Sequence, residues 1–138
     1  MLKLRWGRCI LVGLAAFATS LLLTVAIVFG YAFRLGFEAR GAPDQRKIQE
    51  FARIVGPLWG PILLVALTLV IGVWVSRKEK EPVLHGTTLG LVAAIFGLLP
   101  AWPPDFRDGV VFAAVAAAGC LGGVVASMRR GQDPQVVE

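Results

Sequence analysis

Few residues in this chain could move a proton, hold a metal or act as a nucleophile. His85 is the only histidine and Cys9 and Cys120 are the only cysteines. Asp105, Arg107 and Asp108 form a short charged run after Pro103-Pro104. Acid–base work would have to come from His85 or from those two acids, and Arg107 could pair with either acid. Thiol exchange would need Cys9 and Cys120 together, yet neither belongs to a C-x-x-C and they stand at opposite ends of the chain. Both read as reduced packing residues. A single imidazole cannot supply a bis-His haem or a histidine-based metal cluster within one chain. His85 therefore reads as an interfacial hydrogen-bonding residue, and no metal or cofactor is expected.

The elements that would carry these residues explain why the chemistry is thin. Of 138 residues, 57% are apolar and 17% charged, against roughly 45–50% and about 25% in soluble domains. The mean hydropathy is +0.72. Four blocks, 9–33, 54–76, 82–104 and 109–128, contain no Asp, Glu, Lys or Arg. About 20 apolar residues cross a bilayer core of roughly 30 Å as a helix, and each block is long enough. The pattern predicts an all-α integral membrane protein with four transmembrane helices in a compact bundle. The spans read as 9–33, 57–76, 83–101 and 108–128, forming one domain over 1–138. The first block is too long for the apolar region of a signal peptide and reads as a retained signal-anchor. No lipobox or C-terminal prenylation motif is present.

Between the first two spans, Pro43-Asp44 makes a good helix start. Ile48, Phe51, Ala52 and Val55 follow at i, i+3, i+4 and i+7, one apolar face. Arg46, Lys47, Glu50 and Arg53 populate the rest. This predicts a short amphipathic interfacial helix over 43–55, lying along the membrane surface. The run Gly56-Pro57-Leu58-Trp59-Gly60-Pro61 should separate it from span two, because two prolines four positions apart remove two N–H donors.

Small residues recur at i+4 in every span: Ala16, Ser20 and Thr24; Thr68, Gly72 and Ser76; Gly86, Gly90 and Ala94. In the fourth span Gly119, Gly123 and Ser127 carry the G-x-x-x-G spacing beside Ala114, Ala118, Gly122 and Ala126. Such stripes let helices approach closely. Ala118, Gly119, Gly122 and Gly123 are the expected packing residues. Trp6, Trp59, Trp74 and Trp102 all fall near span ends, as membrane–water belts require.

With both termini inside, the basic residues divide eight inside to six outside, and those inside sit in the shorter segments. This predicts a multi-pass protein of the cell (inner) membrane with cytoplasmic N- and C-termini. The net charge of +5 then belongs to span flanks, and no basic run points to nucleic acid. Arg46, Lys47, Arg53, Trp102, Asp105, Arg107 and Asp108 fall together on the exterior as the candidate surface for a partner or ligand.

No carboxylate or basic group lies inside the four charge-free blocks apart from His85 at an end, which argues against an enzyme and against proton-coupled transport. What is left is a small non-enzymatic accessory or structural protein that packs with lipid, other membrane subunits or itself. The alternative is an oligomeric channel or small-solute transporter lined by hydroxyl and small residues.

Overall fold

The computed structural model describes residues 6–40, 42–77, 79, 81–99 and 103–130, with the backbone alone at positions 6 and 130. Among these residues there are four helices and no strand: α1 (Trp6–Glu38), α2 (Gln45–Ser76), α3 (Pro82–Leu98) and α4 (Phe106–Arg130). Three of them, α1, α2 and α4, are long and apolar enough to cross a membrane. The chain is therefore of the helical membrane type. The described part of α3 has 17 residues, about 25 Å of helix.

The helices alternate in direction. Ser20 of α1 donates to the Gly60 carbonyl of α2, and Arg8 reaches Glu79 just past the end of α2. Gly86 and Gly90 of α3 lie against Gly119 of α4, and Gly72 of α2 faces Gly119 and Gly122. One end of the structure thus holds the start of α1, the α2–α3 turn and the end of α4. The opposite end, here the loop end, holds the end of α1, the start of α2, the end of α3 and the start of α4.

The core lies where α2, α3 and α4 meet. Leu64, Ala93, Ala94 and Val115 are buried there, with Phe17, Val65, Val111 and Phe112 packed around them. Helix α1 attaches by a narrow seam of Cys9, Gly13, Ala16 and Ser20, all buried. That spacing of four, three and four residues keeps one stripe facing its neighbours.

The closest backbone approach is between α3 and α4. A Cβ built on Gly119 would stand 2.5 Å from the Gly86 oxygen and the Gly90 Cα, and one on Gly123 would stand 2.6 Å from the Pro82 oxygen. Gly122 looks the other way, its Cβ position 3.0 Å from the Leu69 oxygen and Val73 nitrogen of α2. Helix α4 is glycine-lined toward two neighbours at once. Ala118 beside them is buried.

The expected separate surface helix over 43–55 does not form. Asp44 caps α2, and residues 45–55 are its first turns; the helix continues as α-helix through Pro57 and Pro61. Two contacts fix the direction: Tyr31 stacks on Phe51 ahead of both prolines, with ring centroids 3.9 Å apart, while Arg8 bonds Glu79 beyond them, just past the end of α2. Moving up α1 therefore moves down α2 on both sides of the prolines. The face of Ile48, Phe51, Ala52 and Val55 turns toward α1, and Val55 is buried.

A proline frees the carbonyl four residues earlier, so Pro61 leaves the Pro57 oxygen without its helical donor. Arg107 of α4 fills that place, its Nη2 donating to the Pro57 oxygen at 2.7 Å. Membrane helices tolerate proline where a neighbour re-satisfies the backbone in this way.

Candidate functional site

Two polar groupings stand out, one at each end. At the loop end, Asp105 and Asp108 bracket the start of α4. The Asp105 amide donates to Asp108 Oδ2 and the Asp108 amide donates to Asp105 Oδ1, each at 3.0 Å. This is a reciprocal capping box, which satisfies two backbone donors that a helix start leaves free. Both carboxylates are thus committed to folding α4. Arg107, between them in sequence, pairs with neither acid and reaches α2 instead. The expectation of an Arg–Asp pairing in this run is therefore corrected: the capping box holds the acids, and the proline-freed carbonyl takes the guanidinium.

The basic residues of early α2 remain at the surface. Arg46 makes an exposed ion pair with Glu50 at 3.5 Å, and its amide is capped by Asp44 at 3.0 Å. Lys47 and Arg53 are exposed and make no ion pair with another described residue. Trp102 lies outside the described residues. Of the seven candidate surface residues, Asp105, Arg107 and Asp108 share the start of α4. Arg46, Lys47 and Arg53 occupy the part of α2 that extends beyond it.

That extension gives the loop end its shape. Arg107 sits level with Pro57, so residues 45–56 of α2 rise about 18 Å further at 1.5 Å per residue. The second half of α1 rises beside them. Between the two helices runs an apolar trough of about 460 Å³, walled by Val25, Val28, Phe29, Ala32, Ile48 and Ala52. A second hollow of about 340 Å³ continues it, sharing Phe29 and Ala32 and ending at Phe37 and Pro43. Phe29, Phe33 and Phe37, at successive i+4 positions, are exposed by 70%, 63% and 76%.

At the other end lies a cluster with contacts among three segments. Arg8 Nη1 bonds Glu79 Oε1 at 2.7 Å, and His85 Nε2 stands 3.7 Å from Glu79 Oε2. His85 is buried, and its Nδ1 lies 3.0 Å from the Glu81 carbonyl oxygen. A carbonyl only accepts, so Nδ1 carries the hydrogen. Nε2 is then the ring nitrogen left facing the carboxylate. The expected hydrogen-bonding role of His85 has its partner here in the turn backbone. The ties from Glu79 to Arg8 and His85 are not apparent from spacing, because 71 positions separate Arg8 from Glu79. The usable signal was depth: all three residues lie at span ends on one side.

Cys9 and Cys120 are both free. No group of three or more metal-ligating side chains is found among the described residues. Thr68 and Ser76 hydroxyls are buried without a hydrogen-bond partner among the described residues. Thr24, Thr87 and Thr88 donate to carbonyls of their own helices four residues back.

In comparisons with known proteins, the chain matches no family model, no curated protein and no solved structure.

Proposed function

We propose that this is a non-enzymatic four-pass protein of the cell membrane that serves as an accessory or structural subunit, packing laterally with another membrane protein or with its own copies. The observation that carries this reading is the one-sided attachment of α1. Its seam of Cys9, Gly13, Ala16 and Ser20 is buried, whereas Leu11 and Leu22 on the outside are 69% and 67% exposed. That leaves a broad apolar face along a helix of 33 residues, open to lipid or to a neighbouring helix.

The remaining features are consistent with this role. Helix α3 belongs to an uncharged block that runs from 82 to 104, which supports a fourth crossing. The basic excess at the end holding Arg8 and Arg77 supports cytoplasmic termini. The acids at 105 and 108 cap a helix, and His85 lies at the other end, which supports a non-catalytic reading. The channel alternative draws less support. Ser20, Thr24, Thr87 and Thr88 spend their hydroxyls on backbone carbonyls, as packing residues do.

Photo-cross-linking in native membranes tests the proposal. With benzoylphenylalanine at Leu11 or Leu22, illumination should give one discrete protein adduct. A mass of two chains identifies self-association, and any other discrete mass identifies a separate subunit. Lipid adducts alone at both positions would contradict the accessory role.

A further inference from the structure

We propose that Arg8, Glu79 and His85 form a proton-binding site that works as a latch: a proton taken up at His85 Nε2 joins the start of α3 to the carboxylate that already holds the start of α1. The inference does not depend on what packs against the outer face of α1.

The ring is fixed in one tautomer. His85 Nδ1 donates to the Glu81 carbonyl at 3.0 Å, which leaves Nε2 with a lone pair and no hydrogen. That nitrogen is buried and has no hydrogen-bond partner among the described residues. It faces Glu79 Oε2 at 3.7 Å, and an ionised carboxylate only accepts. Two acceptors therefore confront each other where the side chains of His85 and Glu79 are 7% and 13% exposed. A buried acceptor left unpaired is costly. One proton on Nε2 removes the conflict, because the imidazolium donates and the carboxylate accepts. The gap of 3.7 Å has only to close to about 2.8 Å, the length of a charge-assisted bond.

The other oxygen of Glu79 already takes the bond from Arg8 Nη1 at 2.7 Å. With His85 bonded as well, the carboxylate bridges α1 and α3. Cys9, the residue after Arg8, begins the narrow buried seam by which α1 attaches, so the bridge closes at the end of that seam. The remaining titratable and charged groups on the surrounding elements are few. Helix α1 brings Arg8 and the Cys9 thiol. The turn brings Glu79, with Arg77 and Glu81 exposed, while Lys78 and Lys80 lie outside the described residues. The stretch of α4 that meets α3 at Gly119 and Gly123 carries no charge and one thiol, Cys120, with Arg129 beyond it. Among these residue types imidazole is the one that ordinarily changes charge between about pH 5 and 8. The ligand is therefore a proton from the aqueous phase, and nothing leaves when it binds.

Solid-state NMR of the full chain in lipid bilayers provides the test, because His85 is the only histidine and isotopically labelled histidine marks a single ring. Nδ1 alone should carry hydrogen at about pH 8, and both nitrogens should carry it at about pH 5. The coupling between Nε2 and a labelled glutamate carboxylate carbon should strengthen at the lower pH. A spin label at Gly7, where a side chain meets nothing within 4 Å, reads the latch in a chain with Cys9 and Cys120 replaced by alanine. It should be less mobile at the lower pH, and His85→Gln and Glu79→Gln should each abolish that difference. An Nε2 that already carries hydrogen at the higher pH, or none at the lower, would overturn the inference, as would a protonated ring with no closer carboxylate. A label mobility that ignores pH, or responds equally in both variants, would overturn it too.

Discussion

Gly119→Ala should lower the thermal stability of the protein in detergent more than any other single methyl addition in α4, whereas Gly109→Ala in the same helix should leave it unchanged or slightly raised. The added Cβ at 119 would lie 2.5 Å from the Gly86 oxygen and the Gly90 Cα. Both are backbone atoms, so no rotamer change relieves the contact. The two helices would have to move apart along their shared face, and the dispersion contacts that hold them would weaken together. Overpacking of this kind costs about 1–3 kcal/mol, occasionally more, and a backbone obstacle places 119 toward the upper part of that range. At Gly109 a Cβ meets nothing within 4 Å, and alanine is the better helix former by up to ~1 kcal/mol. Matched unfolding curves for the two variants read the difference directly. Equal losses at 109 and 119 would show that α4 is sensitive to any substitution and that the glycine contact with α3 is not special.

Arg107→Ala should destabilise the protein by about 1.5–3 kcal/mol, the range for hydrogen bonds to charged groups, discounted toward the low end because Arg107 is exposed. The loss should shrink when Pro61 is also changed to Ala. In the native chain the Pro57 oxygen depends on Arg107 because residue 61 has no N–H to donate. Alanine at 61 restores that donor within α2, and the guanidinium becomes dispensable. The expected outcome is therefore a coupling in a double-mutant cycle, with the second change rescuing the first. Additive losses would mean that Arg107 acts through something other than the proline-freed carbonyl.

Arg107 also shows where reading the chain reached its limit. The start of α4 was legible from Pro104, Asp105 and Asp108, since acids and proline at a helix start are local signals. What Arg107 bonds was not legible, because its partner lies 50 positions away. The same blindness produced the expected break at Gly56-Pro57. Counting lost N–H groups predicts an interruption, and only the neighbour that replaces them explains an uninterrupted α2.

Small-residue stripes behave similarly. The i+4 spacing of Gly119 and Gly123 marks a face, yet the spacing alone does not say that this face meets α3 while Gly122 meets α2. Helix existence was plain from four charge-free blocks, because ionised side chains are costly within a bilayer. The Arg8–Glu79–His85 cluster and the α1–α2 trough depend on which helices sit side by side, which periodicity does not encode.

The claim that most of this depends on is a chain that crosses the membrane four times, α3 included, with both termini on the cytoplasmic side. Single cysteines at Gln45, Arg77, Phe106 and Gln135, placed in a chain with Cys9 and Cys120 replaced, can be labelled in intact cells with a membrane-impermeant maleimide. Positions 45 and 106 should label from outside, and 77 and 135 should label only after the membrane is opened. Labelling of 106 on the same side as 77 would remove α3 as a crossing, and labelling of 77 and 135 from outside with 45 and 106 protected would reverse the orientation.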